Sequence, residues 1–382
     1  LVLSAWCLGI LNSHRRFFLS YAAPVLWNLS IIGALFLFGG RMGQSRLAEA
    51  AAWGSVLGSA LQVLVQLPRV MRLLGSFRPS LDHTSAHVRE VIRNFIPAFV
   101  SRGVVQISAY IDVVLASPLP TGAVAHLAYA QTLYTLPVSL FGMSVSAAEL
   151  PTMASALGSE AEVAGHLRGR LDSGIRRIAF FVVPSAIGFV ALGQVMARII
   201  FQSGRFSAAD SITVWAILAG SAVGLLATTQ ARLYSSAFYA LRDTRTPLKF
   251  GVIRVGLVTA LGYAAAFPIR EALGIDGRWG PAGLTIAAGI AGWVEFLLLQ
   301  RAMARRIGPT GLGAGEAVRL WTAAAIAAGA AWGLLAVLQA HQGVFASGCV
   351  MLAFAVAYVA CARLFGIPEA AALLRRLRRP AT

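Results

Sequence analysis

The chain has 382 residues, 58% of them hydrophobic and only 12% charged, about half the charged share of an average soluble domain. Its formal charge of +17 would suggest nucleic acid in a soluble protein, but the arginines follow the connections between apolar stretches and form no single face, which argues against a nucleic-acid partner. Three cysteines and six histidines stand without metal-ligand spacing, and no CxxC, HExxH, GxSxG or Walker motif occurs; no cofactor is expected.

The first apolar run, 1–12, is shorter than the roughly 20 residues a spanning helix needs. It lacks the basic region and cleavage site of a signal peptide, so it reads as a helix entered partway, with further sequence expected upstream. Complete spans are expected at 20–39, 48–68, 94–118, 123–153, 175–201, 209–236, 247–268, 281–300, 317–340 and 344–366. With 1–12 they make eleven helical segments of an all-α polytopic membrane protein, each complete span long enough to cross about 30 Å of hydrocarbon. Gly and Ala recur throughout, as in AAGIAGW (287–293), and let helices approach closely. Three basic stretches, 70–93, 157–174 and 375–380 (RRLRRP), read as amphipathic surfaces on the inner leaflet, with anionic lipids as their partners. In DTRTP (243–247), Thr246 is expected to cap a helix whose first residue is Pro247, with Asp243 interacting locally with Arg242 or Arg245. No loop is long enough to house a catalytic domain.

The basic residues gather in every second connection. Those connections hold Arg15 and Arg16, five arginines from Arg69 to Arg93, four from Arg168 to Arg177, four basic residues from Arg232 to Lys249, four from Arg301 to Arg319, and five in the tail. The intervening connections share only Arg41, Arg46, Arg198, Arg205, Arg270 and Arg278. Connections rich in Arg and Lys stay cytoplasmic, so the pattern gives both class and orientation: a multi-pass protein of the cytoplasmic membrane with a cytoplasmic C-terminus.

Two arginines break that pattern by lying inside spans, Arg102 and Arg254. Each either snorkels to the headgroups or lines a cavity, where guanidinium meets phosphate in bidentate geometry. Glu149, near the cytoplasmic end of the 123–153 segment, is expected to pair with Arg102. Asp112 lies nearer the outer side, either as a site for a monovalent cation or proton, or as a polar contact near the interface. Glu295 is expected to reach the headgroup region. Pro137, Gly142 and Pro151 make 123–153 the best candidate for a bending, cavity-lining helix.

PTGAVAHLAYAQTLYTLPVSLFGMSVSAAELPTMAS (120–155), ILNSHRRFFLSYAAPVLWNLSIIG (10–33), FQSGRFSAAD (201–210) and FYALRDTRTPLKF (238–250) together resemble the MurJ/MviN family of lipid II flippases. The resemblance extends along almost the whole chain and implies helices 4–14 of a fourteen-helix, two-lobe transporter. Residues 1–69 would be the remainder of the N-terminal lobe (helices 4–6), 70–93 a cytoplasmic connection, and 94–302 the C-terminal lobe (helices 7–12). Residues 316–366 would be helices 13–14, a groove for lipid, and 367–382 a basic tail. The implied substrate is lipid II, an undecaprenyl-diphosphate glycan, carried from the inner to the outer leaflet by alternating access. Cell-wall synthesis proteins are implied partners, and no bond is made or broken, so no enzyme is expected.

The resemblance assigns Arg102, Gln106, Arg254, Gln131, Thr132 and Glu149 to the substrate cavity. Many members read YADRL where this chain has YAQTL, with Gln131 and Thr132 in place of the acid and the base; Arg102 is the candidate to compensate. Some members hold a monovalent cation through a helix-7 carboxylate, the place Asp112 takes here, but 248–270 contain no acid to complete such a site. Two other readings are an exporter of another lipid-linked glycan or of drugs, and a transport-inactive membrane scaffold. A membrane glycosyltransferase would need paired acids at one membrane edge, whereas Asp112 and Glu149 fall at opposite depths.

Overall fold

The computed structural model describes residues 2–14, 16–75, 110–154, 159–204, 206–338 and 344–378. Among these the chain is helical and without strands. The helices are α1 (Val2–Ser13), α2 (Phe17–Phe38), α3 (Gln44–Leu74), α4 (110–116), α5 (Ala123–Pro137), α6 (Ser144–Ala154), α7 (Glu160–Phe201), α8 (Ala208–Ala240), α9 (Arg245–Ala266), α10 (Pro268–Ala272), α11 (Gly280–Ile307), α12 (Ala314–Val337), α13 (Val344–Leu364) and α14 (Pro368–Arg378). Nine of the described helical segments are long and apolar enough to cross a membrane, and α1 is a shorter apolar helix. The described parts of the expected spans fall on helices; of 94–118 only 110–118 is described, with α4 over 110–116.

The chain forms two compact units, Leu1–Ile92 and Arg93–Thr382. In the first, Gly54 and Gly58 of α3 face Trp27, Ser30 and Ala34 of α2 so closely that a Cβ on Gly54 would lie 2.9 Å from that of Ala34. The Trp27 indole N–H donates to Ser55 Oγ across the same seam (2.9 Å). α1 packs on α3 through Cys7, Leu11 and Val70, and the buried Ser4 hydroxyl donates to Gln66 Oε1 (2.9 Å).

The second unit is organised around α7 and α8, which supply Phe180, Ile175, Ile178, Leu192, Ile217, Tyr234 and Phe238 to its core. α7 corrects an expectation. Within the stretch read as an amphipathic surface, residues 160–174 are the first turns of α7, which runs unbroken for 42 residues, about 63 Å and roughly twice the hydrocarbon thickness. Two local causes start and extend it. Ser159 and Glu162 form a reciprocal capping box, and Leu167 and Leu171 are buried against the core. α8 begins the same way, on Ser207 and Asp210.

Pro184 lies inside α7. Lacking an N–H, it leaves the carbonyl of Phe180, four residues back, without its helical donor. The Tyr358 hydroxyl of α13 donates to that oxygen at 2.6 Å in a buried contact. The carbonyl freed by the proline is therefore what docks α13. Pro137 ends α5 and is followed directly by a π-helical segment, Val138–Met143, that leads into α6; the missing N–H is absorbed by widening the hydrogen-bond ladder. α8 and α11 meet through Gly224 and Gly289, where a Cβ on Gly289 would lie 2.8 Å from the Gly224 nitrogen. Trp293 and Thr285 of α11 donate to the Val223 and Ile217 carbonyls of α8 (2.7 and 3.0 Å).

The turn after α8 also differs from expectation. Arg242 has φ 59, and its N–H and that of Asp243 donate back to the Tyr239 and Phe238 carbonyls, a Schellman ending with arginine where glycine is usual. The helix that follows starts at Arg245, before Pro247, and its cap is Asp243 in place of Thr246. Asp243 Oδ1 accepts the Arg245 and Thr246 N–H groups (3.1 and 3.0 Å), and Oδ2 accepts the Thr246 hydroxyl (2.7 Å). Its charged partner is neither Arg242 nor Arg245 but Arg306 of α11, at 2.5 Å. Asp243 takes the cap because it stands just ahead of the first turn and its carboxylate meets the N–H groups there, whereas Thr246 is already inside the helix.

Two predictions follow from these contacts. Tyr358→Phe should lower stability in detergent by about 1–3 kcal/mol, the cost of a buried unsatisfied carbonyl, and Pro184→Ala in the same background should restore it by returning the helical N–H; thermal unfolding of both variants measures this. Around Asp243, partial burial raises the carboxyl pKa, but the Thr246 N–H and hydroxyl and the Arg306 guanidinium outweigh it, so the carboxyl sits below its ordinary value. Its stabilising contribution is present above about pH 4 and fades as pH falls through the lowered value. Asp243→Ala should cost about 1–2 kcal/mol at pH 7, with the gap to the parent closing below about pH 4 in melting curves.

Candidate functional site: ionisable and polar groups at membrane depth

Arg254 sits nine residues into α9, about 14 Å from the helix end that carries Arg245 and Lys249. Glu295 sits twelve residues before the opposite terminus of antiparallel α11, about 18 Å from the same basic end. The reach of an arginine side chain closes that difference, and Arg254 NH1 donates to Glu295 Oε2 at 3.2 Å. The Glu295 side chain is only 12% exposed, so it does not extend to the headgroups as expected; it is held inward by the guanidinium. Asp112 of α4 lies within range of the Arg254 charge. Leu115, one turn further along α4, would lie 3.3 Å from a Cβ on Gly262 of α9. One guanidinium therefore stands among two carboxylates from three helices. Among the described residues no group of three or more His, Cys, Asp or Glu side chains gathers as a metal site.

Glu149 is placed elsewhere. It is 3% exposed, and its described partners are Arg170 (2.6 Å) and Arg177 (3.9 Å) of α7. Arg170 and Arg177, seven residues apart, share one face of α7. The close contact to Arg170 joins the charges without aiming an N–H along the line, since Glu149 Oε2 and Arg170 Nε have no hydrogen-bond partner. The two guanidiniums remain 39% and 48% exposed. One carboxylate against two guanidiniums leaves a net positive charge with open donors, a cradle suited to an anion. Arg102, the expected partner of Glu149, and Gln106 lie outside the described residues.

Gln131 and Thr132 lie side by side on the exposed face of α5. The Thr132 hydroxyl returns to the Ala128 carbonyl (2.9 Å), and Gln131 Nε2 approaches Thr135 Oγ1 at 3.4 Å. A polar face in a segment of membrane length, here Ala123–Met153, faces water or protein more readily than lipid. No hydrogen bond or ion pair among the described residues joins Gln131 or Thr132 to Arg254, Glu295 or Glu149. Among the described residues the expected cavity residues make separate contacts: Arg254 with Glu295, Glu149 with Arg170 and Arg177, and the α5 pair within its own helix.

Sequence reasoning missed Arg170, Arg177 and the role of Glu295. The signals were present. α6 and α7 are consecutive and run in opposite directions, so a basic start to α7 is the nearest source of charge for an acid near the end of α6. The same logic pairs Arg254 with Glu295 by matching their depths on α9 and α11.

A family model described as Lipid II flippase MurJ matches residues 1–354. The probable lipid II flippase MurJ of Haemophilus influenzae is 31% identical over 302 residues, 78% of this chain and 56% of the relative. The lipid II flippase MurJ of Burkholderia cenocepacia is 29% identical over 303 residues, with the same two shares. The chain spans about half the length of the curated relatives it matches. A solved structure titled Lipid II flippase MurJ, inward closed conformation, superposes with a TM-score of 0.76 at 20% identity, covering 95% of this chain and 71% of the other, and shows that the fold is shared. The chain is a multi-pass protein of the bacterial inner membrane and belongs to the MurJ family.

Proposed function

We propose that this chain serves the translocation of lipid II from the inner to the outer leaflet of the bacterial inner membrane. The observation that carries the reading is the match to the MurJ family over residues 1–354. The physical features fit it. The substrate headgroup is a diphosphate, and Arg170 and Arg177 present open guanidinium donors whose geometry suits phosphate oxygens. The sugar needs polar, water-facing surface, which the Gln131 and Thr132 face of α5 offers. The polyprenyl tail can stay in lipid throughout, so only the headgroup has to be moved. The work is alternating access, and the protein is a transporter with no covalent step.

The arginine pattern orients the chain with its basic connections and C-terminal helix α14 in the cytoplasm. Arg170 and Arg177 then stand at the cytoplasmic side, where the lipid-linked diphosphate is loaded. The same basic surfaces are suited to anionic lipids, and cell-wall synthesis proteins are the natural consumers at the opposite face. A second reading, a transport-inactive scaffold, is favoured by one observation: Gln131 and Thr132 are neutral and give α5 no cation at those two places.

Complementation of a flippase-depleted bacterium decides between them. Expressed from its full-length gene, the protein should support growth, and Arg170→Gln with Arg177→Gln should cut flipping by tenfold or more, since hydrogen bonds to charged groups contribute about 1.5–3 kcal/mol. Glu149→Gln keeps both guanidiniums and should retain growth. A full-length protein that inserts in the membrane at normal levels yet never supports growth sinks the flippase reading and leaves the scaffold.

A further inference from the structure

A carboxylate at membrane depth needs a counter-charge, because neither lipid nor apolar side chains solvate it. The region around Arg254 holds two such carboxylates, on α4 and α11, and one guanidinium on α9. Among the described residues, Arg254 uses NH1 on Glu295, while its Nε is buried without a hydrogen-bond partner. Asp112 Oδ1 is likewise buried without one, and it lies in the field of the same guanidinium. A guanidinium carries five N–H donors in a planar fork and can serve two carboxylates from its two sides. Leu115, one turn beyond Asp112 on α4, packs against Gly262 of α9, so the helix that carries the unmet acceptor lies beside the helix that carries the unmet donor.

We propose that Arg254 is a tethered cation shared by Asp112 and Glu295, filling from the protein's own chain a carboxylate pair that would otherwise take up a free monovalent cation. The arrangement ties α4, α9 and α11 to one charge. As the helices shift, the guanidinium can lean toward Asp112 or toward Glu295 without any ion entering or leaving. The inference concerns how charge is balanced within the membrane and stands whatever the transported molecule is.

The proposal has a direct test in purified protein, using thermal unfolding in NaCl against N-methyl-D-glucamine chloride at equal ionic strength. The parent and Arg254→Lys, which keep a tethered cation, should melt at the same temperature in both salts. Arg254→Gln should melt several degrees higher in NaCl than in the bulky-cation salt, and adding Asp112→Asn should abolish that gain. A sodium-specific shift in the parent as large as in Arg254→Gln would overturn the proposal, as would a folded Arg254→Gln with no such shift. Should Arg254→Gln fail to fold, neutralising both carboxylates in that background, with Asp112→Asn and Glu295→Gln, must restore folding. If that triple variant stays unfolded, Arg254 is not their counter-charge.

Discussion

Hydrocarbon solvates neither a charge nor an unpaired backbone group, and the structure depends throughout on how each such group finds its partner. Tyr358 supplies the donor that Pro184 removes from the Phe180 carbonyl, and so α13 is fastened at a defect in α7. Arg254 and Glu295 neutralise one another across α9 and α11. Glu149 is buried because two guanidiniums of α7 meet it. In each case a local liability in one helix is answered by a side chain of another, so helix packing and polar satisfaction are a single problem.

That constraint separates the two kinds of arginine in the chain. Those in the basic connections can be served by water and headgroups. Arg168, Arg170, Arg177 and Arg306 lie close to the membrane boundary and do structural work as well. Arg168 donates to the last carbonyl of α11, on Ile307 (2.8 Å), while Asp172 accepts the Gly311 N–H at 3.0 Å, and together they bind the α11–α12 turn to α7. Arg306 does the same for the α8–α9 turn through Asp243. The basic end of the second unit is laced by ionic contacts, whereas glycine and tryptophan contacts hold its middle.

Helix number and position were legible because apolar length and the alternation of arginine are one-dimensional signals, readable without knowing which helices touch. Pairing is not one-dimensional. The α7 partners of Glu149, Arg170 and Arg177, were not named, and Glu295 was sent to the headgroups, because depth says nothing about neighbours. The α7 extension was hidden for a related reason: 160–174 is too polar to look like a span, yet Leu167 and Leu171 bury a stripe that continues the span's own face. Asp243 was overlooked as a cap because the proline at 247 suggested a start two residues later than the real one. What failed in each case was knowledge of which partner lies within reach.

The length of α7 has a consequence for the environment of its arginines. A helix about twice as long as the hydrocarbon is thick cannot keep its whole length in the bilayer, so the turns bearing Arg168 and Arg170 stand toward water while the same rigid rod continues across the membrane. Electrostatic attraction there is screened over about 8 Å at physiological salt, far more strongly than at Arg254. Attraction of any anion to the first turns of α7 is therefore set by the ionic strength of the surrounding solution, while the charge balance deeper in the helices is sheltered from it.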